Sequence, residues 1–565
     1  MAQRGSRSGV NKTNSKSNDI VGRTKNYRAN NGKGRRASKS VKRDRNAIDA
    51  ADRAVSYTND FSWYNNFPQF MKDAANIAFS TPLGQLIQTE NGDKIVVAGI
   101  MRLGFVPTIG VSTDLTSPIN RSAIKFMTYL RSIQRAGATY DAPDTMMYLV
   151  ALDSCYMFWS MMRRIYGVAQ LYTPINKYYP RQLLISLGAD PSIAYELADF
   201  RMYINRFAIA LSSFALPNNV DIINRHKWMC NGLYVDSENA KAQTYAFVPD
   251  FFWTYDNTVS TGSRLKPLVW QDTTTNVNLH TLAEIINLGD ALLNNIINDQ
   301  DIATISGDIY RAYGHNIVSL EETTEGYAIL PAYDRHVLSQ IENASIFGDY
   351  IYDANQYITQ DPSVNGGAIL YNPRWEGNIK TNAAGTLLFS PYWQNPSRFM
   401  NMHTDSPTEE DITEASRLMA CCGFAWPTQT SEVVPVKALQ VQVIPPDCIT
   451  NMWIGEFNEN TYPAYRMLKV GGNALTLGPG NGSTSYDGTV INTITMLCTI
   501  AQFDWAPMIY LYQIPDTTFG AGSYLNLVQF AFDVDNLTSV SATKLLQLHE
   551  AALYSLFLVP EVASN

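Results

Sequence analysis

The uneven placement of charge constrains this 565-residue chain more than any other feature. Residues 1–45 hold fourteen basic side chains: Arg4, Arg7, Lys12, Lys16, Arg23, Lys25, Arg28, Lys33, Arg35, Arg36, Lys39, Lys42, Arg43 and Arg45. They hold two acids, Asp19 and Asp44, so the segment carries +12. The other 520 residues hold 29 basic and 49 acidic residues, a balance of −20. Beyond Met1, only Val10, Ile20, Val21, Tyr27 and Val41 are bulky and apolar in the first 45 residues. Such a segment cannot bury enough apolar surface to offset its ordering entropy, so a disordered arm is expected. Extended, 45 residues reach on the order of 150 Å; as a flexible coil the ends lie roughly 35–40 Å apart. Either reach takes the arm beyond its own folded body.

Lys and Arg neutralise phosphates and release counterions, which gives binding that ignores base sequence and weakens steeply with salt. All fourteen basic residues are therefore candidate RNA contacts. Gly32-Lys33-Gly34-Arg35-Arg36 and Lys42-Arg43-Asp44-Arg45 are the densest clusters. A nuclear-import signal is the main rival for short basic clusters. Tyr27 is the only aromatic residue in the arm, which argues against single-strand readout by base stacking.

The body has the opposite character. Charged residues make up 17% of the whole chain, against roughly 25% in an average soluble protein. Aromatics make up 12%, and charge depletion with aromatic enrichment is what subunit interfaces show. The six cysteines, Cys155, Cys230, Cys421, Cys422, Cys448 and Cys498, form no C-x-x-C pair, which suits a reducing cytosol. The start is basic and polar with no apolar stretch behind it, so no secretory leader is expected. Met146–Met162 is the longest apolar stretch, but it contains Asp153 and stops at Arg163-Arg164. It falls short of the roughly twenty residues a bilayer span needs and reads as a buried helix.

Periodicity predicts a mostly helical region from 46 to about 220. Asn120 is placed as the cap of a helix running to Gly137, with Ala123, Phe126, Met127, Leu130 and Ile133 inward and Arg121, Lys125, Arg131 and Arg135 outward. Asp144 starts the long apolar helix. Asp190-Pro191 starts another that reaches Phe214. From 221 to 515 the pattern is mixed. Leu279–Asn298 reads as helix. Ser406-Pro407-Thr408-Glu409 reads as a capping box whose helix ends near Cys421. Val433–Ile444, Val490–Ile500 and Pro507–Ile514 read as strands, separated by glycine turns at 471–472 and 478–482. A last helix spans Ser541–Leu558, with Leu545, Leu546, Leu548, Ala552, Leu553 and Leu556 as core residues.

Catalytic patterns are not found. The loop at 478–482 lacks the Lys of a phosphate-binding loop. The six histidines, His226, His280, His315, His336, His403 and His549, fit no zinc-protease or hydrolase motif. His549-Glu550 is expected to be a surface pair. No enzyme, metal, cofactor or small-molecule substrate is expected.

Several segments resemble a known family. Asp60-Phe61-Ser62-Trp63-Tyr64 with Phe79-Ser80-Thr81-Pro82-Leu83-Gly84 resembles the opening of picobirnavirus capsid proteins after their basic arm. Lys241–Pro249, Asp301–Ile309 and Tyr313-Gly314 are similar to further stretches of those proteins. The resemblance implies a picobirnavirus-type capsid fold: a predominantly α-helical shell domain, a mixed α/β projecting domain and the disordered basic N-terminal arm. It also implies two-fold homodimers closing a T=1 icosahedral shell around double-stranded RNA. The expected division is an arm at 1–45, a shell domain at 46–220 to which 516–565 returns, and a projecting domain at 221–515. The expected partners are the chain itself and viral RNA, bound non-specifically. The expected location is the virion, with the host cytoplasm during assembly. The alternative is a cytosolic RNA-binding nucleoprotein that forms no closed shell.

Overall fold

The computed structural model describes residues 63–562, except 65, 80–82, 93, 135–138, 172–176, 240, 257, 259–261, 272–276, 347, 353, 364, 377–379, 382–386, 389–397, 424–438, 458–464, 471–473, 478–487, 514–525 and 532. The chain divides into an N-terminal unit ending at Ser80 and a body, Thr81–Asn565. In the N-terminal unit, the helix Pro68–Ala75 buries none of its residues.

The body is organised around the strand Ile100–Pro107. It pairs antiparallel with Asp447–Phe457 on one side and parallel with Thr244–Pro249 on the other. Tyr465–Val470 and Tyr234–Val235 complete a five-stranded sheet. All eight residues of Ile100–Pro107 are buried, Arg102 among them, so the strand shows no apolar–polar alternation. That is why the sequence reading missed it within a region expected to be mostly helical. Gly104 marks a close approach: a Cβ there would collide with the Asn451 carboxamide and lie 2.8 Å from Asp250 Oδ1.

A parallel strand pair needs a long crossover, and the helices between 107 and 244 supply it. The longest, Ala142–Ala169, opens with a reciprocal capping box between Asp141 and Asp144. It is buried on every side and packs against Asp221–Asn231, Pro118–Ile133, Leu197–Leu211 and the strand Phe251–Tyr255. A helix apolar all round belongs inside a large core, as expected for Met146–Met162. Among the described residues no helix is long and apolar enough to cross a membrane.

Among the described residues, three further sheets of three or four strands lie downstream. One orders Ile369–Leu370, Ile358–Gln360, Arg264–Val269 and Phe251–Tyr255; another orders Cys421–Gly423, Leu439–Val443, Arg374–Glu376 and Asp349–Tyr350; the third joins Ala474–Leu477, Ile509–Gln513 and Asn526–Ala531. The strand Arg398–Met402 pairs with Asn536–Val540. One hydrophobic core runs from Ala98 to Val559, so the sheet and core cross residue 220.

Several boundaries differ from the sequence reading. The helix expected from Asn120 starts at Pro118 behind Ser117, and Asn120 is instead buried, donating to Ile369 O and Asp114 O. Ile133 at its end is exposed, because the helix stops there. The helix expected from Pro191 to Phe214 is a 3-10 turn, Pro191–Tyr195, followed by the helix Leu197–Leu211. The capping box near 408 uses Thr408 and Asp411, two residues later than expected, and its helix ends at Ala415. Val490–Ile500 is not a strand but the C-terminal part of the helix Gly488–Ile500. Its β-branched residues favour strands only weakly, and tertiary packing overrides such propensities. The strands expected at Val433–Ile444 and Pro507–Ile514 appear as Leu439–Val443 and Ile509–Gln513. The glycine turns at 471–472 and 478–482 lie outside the described residues.

Candidate functional site

The fourteen basic arm residues, Arg4 to Arg45, all lie outside the described residues. The second basic feature, the outer face of the helix Pro118–Ile133, is described except for Arg135. Arg121, Lys125 and Arg131 are exposed, as the periodicity predicts. Two of them serve the C-terminal segment rather than open solvent. The Arg121 guanidinium lies 5.0 Å over the Tyr554 ring, and Lys125 Nζ is 3.9 Å from Glu561. Tyr313 Oη also donates to Pro560 O, and the Val562 N–H donates to Tyr129 Oη. The C-terminal helix, Ala542–Leu556, thus docks on the helical region near the start of the body. Leu553 is buried in the main core, Leu545 is buried in a separate cluster with Met400, Met402, Ala415 and Met419, and Leu546 is exposed.

His549 is a correction: it is 1% exposed, not a surface residue, and its Nε2 donates to Met419 O. Burial drives its pKa down to about 3, with the nearby Arg417 charge acting the same way, so the ring is neutral.

The strongest electrostatic feature lies in the core. Asp153 projects from the long helix, His226 from Asp221–Asn231, and Asp447 opens the strand Asp447–Phe457. His226 Nδ1 lies 2.5 Å from Asp153 Oδ2 and its Nε2 lies 2.8 Å from Asp447 Oδ1. Arg225 Nε donates to the other Asp447 oxygen at 2.5 Å, and Arg225 Nη2 reaches Gln340 at 3.5 Å. Burial opposes charge on the imidazole, but the two carboxylates outweigh it and raise its pKa to about 10. Burial also works against the Asp447 carboxylate; Arg225 and His226 overcome this and hold it at about 2. For Asp153 burial wins and the pKa rises, with one cation partner instead of two. The network ties two helices and a central strand together inside the core. Its sequence trace was Asp153, the lone acid of the apolar stretch; nothing in the local sequence pointed to His226 or Asp447.

Arg102 and Arg164 are likewise buried in the sheet and helix layers. Arg102 Nη1 donates to Gln271 Oε1 at 3.4 Å, and its guanidinium lies 5.7 Å from the Trp453 ring centroid. Arg164 Nη1 donates to the carbonyls of Met229 and Gly232. Burial lowers both pKa values to about 10, which leaves them cationic at neutral pH. Among the described residues no group of three or more His, Cys, Asp or Glu side chains is placed to hold a metal.

The surface carries large apolar side chains in clusters. Trp63, Tyr64, Phe67, Phe70, Met71, Ile77 and Phe79 are exposed within the N-terminal unit, and Tyr195, Met202 and Ile209 within the body. Exposed apolar groups at this density mark surfaces that meet something else.

A family described as Picobirnavirus, Capsid protein matches residues 63–472. The chain belongs to the picobirnavirus capsid protein family. A capsid protein precursor of Human picobirnavirus (strain Human/Thailand/Hy005102/-) is 30% identical over 562 residues, covering 94% of this chain and 96% of that protein. An X-ray structure of the picobirnavirus capsid shares the fold, with a TM-score of 0.72 and 23% identity, over 89% of this chain and 100% of that chain. The protein therefore has a structural role as a viral capsid subunit. The buried cations and carboxylates of this capsid chain are internal fastenings, and its outward-facing apolar residues are where assembly is to be sought.

Proposed function

We propose that this capsid protein self-assembles through two-fold dimers into a closed icosahedral shell around double-stranded RNA, with residues 1–45 as the genome-contacting arm. The observation that carries the reading is similarity to a capsid precursor along nearly the whole chain. The charge partition supports the division of labour. A polycationic arm screens phosphate repulsion without reading sequence, and a sparsely charged body meets its own copies. Closed symmetry then turns individually weak contacts into a stable particle.

We also propose that shell and projecting functions divide within the body. The docking of Ala542–Leu556 against Pro118–Ile133 supports the return of 516–565 to the shell part. The five-stranded sheet argues for a shell part that extends past residue 220, because Thr244–Pro249 and Asp447–Phe457 flank Ile100–Pro107. Assembly in the host cytoplasm and residence in the virion follow from the same reading.

The test is electron microscopy of the expressed full chain, with the RNA-to-protein ratio of purified particles measured for the full chain and for a deletion of residues 1–45. Uniform round particles that lose most of their RNA on deletion support the proposal. Filaments or rings on RNA would point to a nucleoprotein. Unchanged RNA content in the truncated particles would remove the role of the arm.

A further inference from the structure

The long buried helix Ala142–Ala169 carries one stripe that the core does not explain. Tyr156, Trp159 and Arg163 stand three and four residues apart, so they lie on one side of that helix. Tyr156 is 1% exposed and Trp159 3% exposed, yet Tyr156 Oη and Trp159 Nε1 have no hydrogen-bond partner among the described residues. A buried donor without a partner costs its full desolvation, so such groups point to something the chain itself does not supply. Two cations stand over the same rings. The Arg163 guanidinium lies 4.6 Å over the Trp159 ring and 4.4 Å over the Tyr327 ring. Lys227 Nζ, from the helix Asp221–Asn231, lies 5.7 Å from the Tyr156 ring centroid and 5.9 Å from that of Trp159. Sharing the Trp159 ring places the two cationic centres no more than about 10.5 Å apart, on the scale of a Debye length. Among the described residues neither cation makes an ion pair or a hydrogen bond, and Arg163 Nε is buried without a partner. Burial, and after it the Arg163 charge, lowers the pKa of Lys227; exposed Glu321 offsets this only in part.

We propose that Tyr156, Trp159, Arg163 and Lys227 form a binding site for a small phosphate-bearing anion within each capsid subunit. The chemistry of the donor set selects the ligand. Ammonium, guanidinium and indole N–H donate and cannot accept, so a cation has nothing to bind there. Rings over the guanidinium leave its in-plane N–H edges for oxygen, the geometry that suits phosphate or carboxylate. Two positive charges with no counter-ion in the chain favour a phosphate dianion, whose oxygens accept from several directions, over a single carboxylate. The site is built rather than incidental. Tyr327 Oη donates to Asn231 Oδ1 at 3.2 Å, and Tyr166 Oη donates to Glu325 O at 3.0 Å, which pins the segment carrying Tyr327 to both helices. Gly167 lets that segment come close: a Cβ there would lie 2.9 Å from Ile329 Cγ1 and 3.2 Å from Tyr327 Cε1. All four donors belong to one chain, so the site needs no assembled particle.

The experiment is isothermal titration calorimetry of the purified full chain with inorganic phosphate, ionic strength matched by chloride, beside thermal melts with and without phosphate. Any phosphate drawn to the basic arm is common to wild type and variants, so their difference reports the site. Lys227→Met keeps the side-chain stem and removes the charge, and is expected to weaken phosphate binding at least about tenfold. Without phosphate it should melt no lower than the wild type, because it removes a half-buried charge that faces a like charge. A lysine that served only to pack on the rings would give a lower melt on removal. Tyr156→Phe removes one hydroxyl and is expected to weaken binding about threefold with the fold unchanged. A wild-type chain that binds no phosphate, or equal binding by wild type and both variants, overturns the site. If Lys227→Met fails to fold, Tyr156→Phe decides alone. Displacement of the phosphate by added duplex RNA identifies a backbone phosphate as the occupant, and retention identifies a free phosphate or phosphomonoester; either result supports the site. Particle formation does not enter the measurement, so the site stands or fails apart from the assembly reading.

Discussion

Replacing His226 by Gln tests whether the buried charge network fastens the core. The substitution keeps a polar side chain of similar length but removes the cation shared by Asp153 and Asp447. Both carboxylates then face each other inside the core, with Arg225 serving Asp447 alone. Breaking a buried pair on one side costs about 3–5 kcal/mol. The pKa values give a similar scale. A rise from 6.5 to about 10 is worth roughly 5 kcal/mol at about 1.4 kcal/mol per unit, before the opposing cost of keeping Asp153 buried is subtracted. The group is fully buried, so solvent screening takes little from it. The folded-state pKa of His226 lies above its unfolded value. Its contribution is therefore complete below about pH 6.5 and is lost as pH rises toward about 10. Urea denaturation of the soluble protein is expected to show a loss of about 3–5 kcal/mol for H226Q at pH 6. The gap between variant and wild type should shrink as the pH approaches 10. Asp447→Asn should cost more than Asp153→Asn, because Asp447 holds two cations and Asp153 holds one. A gap under about 1 kcal/mol at pH 6 would be no larger than an ordinary hydrogen bond and would refute the reasoning, as would one that does not change with pH.

Leu553→Ala should cost about 2–5 kcal/mol and loosen the C-terminal helix, since Leu553 is buried and its Cδ1 fills the space beside Gly110; faster tryptic cleavage near Lys544 is the readout. Gly188 has φ +83°, and a Cβ there would strike the Gln271 carboxamide, so Gly188→Ala should lower stability by about 1–3 kcal/mol in thermal melts. Cys498 is exposed while Cys155, Cys230 and Cys448 are buried. Brief thiol labelling with site-resolved mass spectrometry should modify Cys498 and spare the other three until the protein unfolds; burial also pushes the pKa of Cys230 up to about 12.

Much of the helical scaffold was readable because its cause is local. The run from Met146 to Met162 carries too little charge to face water and is buried, although the helix starts at Ala142 behind Asp141, with the expected starter Asp144 as its third residue. Thr281 and Glu284 form a capping box that places the helix Leu282–Ile297 within three residues of the sequence reading. The central strand was not readable. Its eight buried residues have no period, and its partners lie about 140 and about 350 residues downstream, a spacing that no local window contains. The same applies to His226, whose carboxylate partners come from distant elements.

Local chemistry in the sequence therefore determined the long buried helix and the capped helix Leu282–Ile297, that the first 45 residues are a polycation, and that the remainder is poor in charge, whereas Val490–Ile500 became helix against its local pattern. Tertiary structure alone decided that Asp153, His226 and Asp447 meet, that His549 is buried, and which face of Leu197–Leu211 is left to the outside. A side chain's local sequence sets its propensity and charge. Its burial and its partners are set by elements far along the chain, and only the assembled core brings these together.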